Sequence, residues 1–206
     1  ASPRPLLAIP GASRPRRVLS VQSSVVSGYV GNKAAVFPLQ LLGFEVDPVL
    51  SVQFSNHTGY PVFKGSVMDG DQLWALVEGL DENGLLSQYT HLLTGYIGSL
   101  SFLRTVVRVV KRLREVNPDL VYVCDPVLGD RGRLYVPAEL VPVYRDEVMP
   151  LATVVTPNGF EAETLTGRAI ATEREACEAC EAFHALGPET VVLTSLNISR
   201  GEGAGE

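Results

Sequence analysis

The chain has 206 residues, 46% of them hydrophobic and 19% charged, enough for one α/β domain with a substantial core or a large part of one. Its formal net charge of −6, with no Lys/Arg stripe expected along any one segment, argues against nucleic acid or an anionic membrane surface and favours a small-molecule partner. Three cysteines are too few and too clustered for a secreted disulfide framework, and no apolar run approaches the ~20 residues that span a bilayer, so a cytoplasmic protein is expected.

Residues 1–16 hold Pro3, Pro5, Pro10 and Pro15, with arginines and no acid, and read as a disordered extension. Their Arg-rich character resembles an organellar transit peptide, but the prolines oppose the amphipathic helix such a peptide needs. From residue 17 a regular grammar begins. A short apolar run at 17–23 leads through Gly28 and Gly31 into a helix at 34–42, which reads as strand, turn, helix. The same unit recurs: strand 49–54 with a helix near 71–80, strand 91–94 with helix 100–116, strand 120–124 with helix 137–148, and strand 152–155 with short helices. A sixth strand is expected at 190–194 and a disordered Gly/Glu-rich tail at 197–206, leaving one domain over 17–196. Helices of this length between strands require crossovers, so these strands are not hairpin-connected and the fold class is α/β: three layers, a mostly parallel sheet with helices on both faces.

Two helices carry clear local signals. The 100–116 helix places Leu103, Val106, Val107, Val110 and Leu113 at 3/4 spacing and ends at Asn117-Pro118. Thr172-Glu-Arg-Glu175 has the form of a capping box, opening a helix that ends before Gly187-Pro188. Within that helix Cys177-Glu-Ala-Cys180 has redox spacing but acidic neighbours that disfavour thiolate, so packing is the better reading. Asn197-Ile-Ser199 reads as a chance glycosylation triplet, and His184 as a helix-end cation.

In a parallel sheet, ligands bind beyond the carboxyl ends of the strands. The segments there are polar and Gly-rich: Gln22-Ser23, Ser55-Asn-His-Thr-Gly59, Thr94-Gly-Tyr96, Asp125-Pro-Val-Leu-Gly-Asp130 and Thr156-Pro-Asn158. Carboxylates such as Asp125, Asp130 and Glu161 are what phosphoryl transfer requires to recruit a hard cation.

These motifs carry a family resemblance. Ser51-Val-Gln-Phe-Ser-Asn-His-Thr-Gly-Tyr60, Thr94-Gly-Tyr96, Tyr122-Val-Cys-Asp-Pro-Val-Leu-Gly-Asp130 and Thr156-Pro-Asn-Gly-Phe-Glu-Ala-Glu163 resemble the pyridoxal kinases, of ribokinase-like fold, over about residues 17–195. The resemblance implies transfer of the ATP γ-phosphate to the 5′-hydroxyl of pyridoxal, pyridoxine or pyridoxamine by a homodimer. It implies Mg²⁺ or Zn²⁺ as the ATP counter-ion and K⁺ as a monovalent activator. By the same resemblance, Ser23, Val30, Phe54, His57, Thr58, Phe63 and Tyr96 line the vitamer pocket. Asp125 and Thr156 hold the monovalent cation, Asp130 and Glu161 face the divalent metal and phosphates, and Tyr135, Asn158, Thr194 and Ser195 contact nucleotide.

Three departures stand out. The segment from Asp130 to Tyr135 is shorter than the family's loop over the phosphates, and Phe63 replaces a common tryptophan. The Gly-Thr-Gly-Asp motif, whose Asp is the family's catalytic base, is absent from these 206 residues, so a truncated domain of impaired activity and low stability is expected. A hydroxymethylpyrimidine kinase and a non-catalytic vitamer-binding or dimerising isoform are the alternatives.

Overall fold

A computed structural model describes residues 16–198. The expected terminal extensions lie outside this range except at their inner edges, where two corrections arise. Arg16 accepts a hydrogen bond from Glu45 N through its carbonyl, and Ile198 packs against the core, so neither belongs to a tail.

The elements run β1 (Arg17–Val25), α1 (Asn32–Leu41), β2 (Glu45–Phe54), β3 (Gly65–Val67), α2 (Gly70–Glu82), β4 (His91–Thr94), α3 (Leu100–Val116), β5 (Val121–Cys124), β6 (Gly129–Asp130), β7 (Arg133–Leu134), α4 (Leu140–Val143), β8 (Val154–Val155), α5 (Gly159–Thr166), α6 (Glu173–Leu186) and β9 (Thr190–Val191). Among the described residues the main sheet has seven strands in the order β3-β2-β1-β4-β5-β8-β9, every pair parallel except β2 with β3. Pro48 is tolerated within β2 because β3 pairs only with residues 52–54, leaving that side of the strand without a ladder bond to lose.

Two short hairpins lie outside the strand series read from the sequence. β3 turns back on β2, and β6 with β7 forms a two-residue hairpin whose central residues Arg131 and Gly132 both have positive φ, as a type I′ turn requires. The expected helix at 137–148 is broken. After α4 the chain makes a π turn over Tyr144–Val148 and a 3₁₀ turn over Met149–Leu151, because Pro142 and Pro150 remove donors from a regular ladder. The strand expected at 190–194 shortens to β9 plus one bridge from Thr194 to Asn158.

The crossover from β1 to β2 moves one way along the sheet and all later parallel crossovers move the other way. With right-handed connections this puts α1 on one face and α2 to α6 on the other. The core lies under the larger group: Leu19, Val21, Leu92, Tyr122, Cys124 and Val155 join residues of α2, α3 and α6 in one cluster. On the α1 face, His91, Leu93, Val121, Val123 and Val154 are only half-buried.

α3 buries Phe102, Leu103, Val106, Val107, Val109, Val110 and Leu113 beneath a Ser99 N-cap. Its outer side corrects the expectation that no basic stripe exists. Arg104, Arg108, Lys111 and Arg112, which the apolar spacing sets on the other faces of the helix, come together on one cavity wall beside Trp74. Among the described residues no helix is long and apolar enough to cross a membrane.

Candidate active site

The parallel strands deliver their carboxyl ends to one side of the sheet, and hydrogen bonds lock the segments that follow. Val26 N and Ser27 N donate to the carbonyls of Phe54 and Ser55, at 2.9 Å each, binding the end of β1 to that of β2. Ser51 Oγ donates to the Tyr96 carbonyl (3.0 Å), and Asp125 N donates to the Thr94 carbonyl (3.0 Å).

The first group of expected site residues surrounds the ends of β1, β2 and β4. Ser23 lies against Gly31, where a Cβ would sit 2.3 Å from the Ser23 carbonyl and 2.5 Å from Oγ; Gly31 also has φ +48, so only glycine fits without strain. Residues 55–64 fold into a closed loop between β2 and β3: Ser55 N donates to the Lys64 carbonyl (2.7 Å) and Asn56 Nδ2 to the Val62 carbonyl (3.0 Å). His57 and Thr58 sit on this loop and are exposed. His57 Nδ1 accepts from Gly59 N (3.1 Å), which fixes the proton on Nε2 and turns a donor outward. Phe54 and Phe63 meet ring to ring at 5.1 Å, and His57 meets Tyr60 at 4.6 Å. Val30 and Tyr96 are half-buried, and burial raises the Tyr96 hydroxyl pKa above the usual tyrosine value.

The second group surrounds the ends of β5 and β8. Asn158 caps α5: its Oδ1 accepts from Glu161 N (2.9 Å), while Glu161 Oε2 accepts from Asn158 N (2.9 Å). The other Glu161 oxygen, Oε1, accepts from Leu128 N (2.8 Å) and Gly129 N (3.4 Å), so one carboxylate clamps two chain segments. Asn158 Nδ2 donates to the Gly129 carbonyl (2.8 Å), Tyr135 N to the Leu128 carbonyl (2.8 Å) and Thr194 N to the Pro157 carbonyl (2.9 Å). Gly159 abuts Ser195 and Leu196, and Ser195 has φ +50. Asp130, Tyr135, Asn158, Glu161, Thr194 and Ser195 are therefore brought to one locality. Asp130 is half-exposed, with its Oδ2 3.7 Å from Arg131 Nε.

Asp125 is the electrostatic focus. Burial, and secondly the charge of Glu161, push its pKa to about 6, against hydrogen bonds from Thr156 and Val127 N that favour the ionised form. Glu161, only 3% exposed, is raised by burial too, against its three backbone donors. Among the described residues neither carboxylate forms an ion pair with Lys or Arg. A half-buried carboxylate at Asp125 and a buried one at Glu161, with no cationic side chain between them, fit a hard cation at Asp125 and Thr156. Among the described residues no three His, Cys, Asp or Glu side chains converge, so a cation there would complete its shell with carbonyls, water or ligand oxygens.

Sequence reasoning missed Asn32 and Tyr144 at this end of the sheet. Asn32, 2% exposed, donates to the carbonyls of Gln22 (3.1 Å) and Val49 (2.8 Å), bridging β1 and β2 where the β1 register shifts between Gln22 and Ser24. Buried Gln22 donates to Ser20 Oγ (2.9 Å). Tyr144 is buried with an unpartnered hydroxyl, and its pKa is raised by burial first and then by Cys124, Asp125 and Glu161. Val127 has φ +37, an unfavourable backbone for a β-branched residue, within the loop that holds Asp125.

The family model described as phosphomethylpyrimidine kinase matches residues 88–204, more than half of the chain. The chain belongs to the phosphomethylpyrimidine kinase family. Among its relatives in this family, it is 62% identical over 194 residues to a pyridoxal kinase of Arabidopsis thaliana, covering 94% of this chain and 62% of that protein. It is 54% identical over 192 residues to the pyridoxal kinase of Homo sapiens, covering 91% and 61%. The structure of Leishmania donovani pyridoxal kinase in complex with ADP and pyridoxine superposes with a TM-score of 0.82 at 47% identity, covering 85% of this chain and 62% of that one. The chain thus spans about three-fifths of the length of the relatives it matches. The resemblance to pyridoxal kinases and the ribokinase-like α/β fold both hold.

Proposed function

We propose that this chain carries the vitamer- and nucleotide-binding ends of a kinase that transfers the ATP γ-phosphate to the 5′-hydroxyl of pyridoxal, pyridoxine or pyridoxamine. The observation that carries this reading is the convergence of the polar segments after β1, β2, β4, β5 and β8 on one side of a parallel sheet, in a chain that matches a pyridoxal kinase holding ADP and pyridoxine.

In this reading Ser23, Thr58 and the His57 Nε2–H offer hydrogen bonds to the polar atoms of the ring, while Val30, Phe54, Phe63 and Tyr96 supply apolar walls. The second locality takes the nucleotide, with Asp130, Tyr135, Asn158, Glu161, Thr194 and Ser195 around it. K⁺ would neutralise Asp125 beside Thr156, and Mg²⁺ or Zn²⁺ would bind near Asp130 and Glu161. When bound, the divalent ion supplies neutralisation of the phosphate charge. Glu161 positions this end of the site by fixing both the Leu128–Gly129 backbone and the start of α5. The cytoplasm is the proposed compartment.

We also propose homodimerisation through α1. Phe37, Leu41 and Leu42 are 65%, 71% and 75% exposed, and Val26 and Tyr29 beside them are exposed as well. An apolar helix face of this kind suits a second copy.

The test is ATP-dependent formation of pyridoxal 5′-phosphate by the 206-residue chain, run beside the same chain extended by a Gly-Thr-Gly-Asp-containing C-terminal segment. Pyridoxal binding by both and turnover by the extension alone is the expected result. Comparable turnover by the unextended chain would mean that the base has been assigned to the wrong segment. The family description keeps a hydroxymethylpyrimidine kinase as the second reading, and exclusive phosphorylation of that pyrimidine by the extended chain would replace the first.

A further inference from the structure

We propose that the groove between α2 and α3 is a docking site for an acidic peptide segment of a protein partner. A cavity of about 410 Å³ is lined there by Trp74, Arg104, Arg108, Lys111, Arg112 and Glu115. In a chain of net charge −6, four cations on one wall form a local reversal of sign.

Two of these cations are fixed in place before any ligand arrives. The Arg108 guanidinium lies 3.3 Å from the centroid of the Trp74 ring, a stack that leaves its N–H edges free to bind a carboxylate. Arg112 is held by Asp81 through Nε–Oδ2 (2.6 Å) and Nη2–Oδ1 (3.0 Å), and by Glu115 (2.8 Å). Arg104 is 3.9 Å from Glu147, while Arg108 and Lys111 have no ion-pair partner among the described residues. The unneutralised charge therefore sits at the centre of the groove.

The dimensions select the occupant. From Arg104 to Arg112 the stripe is about 12 Å long at 1.5 Å per residue, with a turn every ~5.4 Å. Alternate side chains of an extended peptide repeat every ~6.6 Å, so two or three carboxylates match the stripe. A long polyanion such as nucleic acid would overrun it into Asp81, Glu115 and Glu147 and meet the negative charge of the rest of the chain.

Trp74 is the single tryptophan of the sequence, so its fluorescence reports directly on the groove. The intact chain is titrated with a synthetic peptide of alternating Glu and Ser, with its Lys-for-Glu counterpart, and with a single-stranded oligonucleotide of similar length. The expected result is a saturable emission change with the Glu peptide alone, weakened about fivefold to tenfold by Lys111→Glu and lost when ionic strength is raised roughly tenfold. Lys111→Glu leaves the Arg108–Trp74 stack in place, so unchanged emission without peptide shows that the variant is folded. No saturable change, an equal response to the Lys peptide, or undiminished binding by the variant would overturn the proposal. Tighter binding of the oligonucleotide would reassign the groove to nucleic acid.

Discussion

Replacing Asp125 by Asn should stabilise the fold while removing the charge the candidate site depends on. The carboxyl is held at about pKa 6 rather than 3.8, chiefly by burial and secondly by Glu161. A displacement of that size corresponds to about 3 kcal/mol at 1.36 kcal/mol per unit. The sign follows from the direction. A folded-state pKa above the unfolded value means that this stability is fully present below about pH 4 and is lost as the pH rises through about 6. Above that the folded protein bears the whole cost of an ionised Asp125, and an Asn bears none. Asn retains one oxygen to accept from Thr156 or Val127 N, so a gain of about 1–3 kcal/mol is expected near pH 8 in potassium-free buffer. For a chain of this size, roughly 2–4 °C of melting temperature accompany each kcal/mol. The assay is chemical denaturation of both proteins across the pH range, followed by the same series with added K⁺. The cation should raise the stability of the Asp protein and leave the Asn variant unmoved, as linkage requires for a ligand that binds only the folded charge. A variant that is no more stable at pH 8, or whose advantage is the same at pH 4, would refute the reasoning, because the effect would then be packing and not charge.

Glu161→Gln should destabilise by about 2 kcal/mol, since an amide cannot accept from Asn158 N, Leu128 N and Gly129 N together, and it should also lower the Asp125 pKa, which NMR titration of the carboxyl would register. Gly31→Ala drives a Cβ into the Ser23 backbone at a left-handed position, so a loss of roughly 2 kcal/mol or more and weaker pyridoxal binding are expected by denaturation and calorimetry. Leu41→Asp, on the exposed α1 face, should leave folding intact and abolish dimerisation in sedimentation experiments; a dimer that persists would place the interface elsewhere.

Strong periodicity made part of this fold legible. β4 and α3 fall at 91–94 and 100–116 as expected, because α3 carries its apolar residues at unbroken 3/4 spacing between a Ser cap and Asn117-Pro118. The Thr172 capping box likewise forms as its sequence suggests, with Glu175 Oε2 accepting from Thr172 N. β3, β6 and β7 have two or three residues each and cannot display an alternation, so their hairpins emerge only from tertiary contacts. The candidate site was legible as segments, since polar residues after apolar runs mark strand ends. Its supports were not: Asn32 and Tyr144 are lone polar residues whose burial depends on neighbours distant in sequence. The cations of α3 were legible as residues off its apolar stripe, but their shared wall with Trp74 of α2 was not, because it depends on how two helices pack.

The fork made by Glu161 bears on how such a chain can vary over generations. Gly129 and Leu128 are pinned on one side of the β6–β7 hairpin, and Tyr135 returns to the Leu128 carbonyl on the other. The hairpin thus hangs from two anchors a few ångströms apart, and its tip at Arg131 and Gly132 projects into solvent. Residues inserted at that tip would meet the Glu161 bonds to Leu128 N and Gly129 N before reaching Asp125. Glu161 thereby separates a part free to drift in length from a part that must stay fixed, and it makes the short turn found here an interchangeable module.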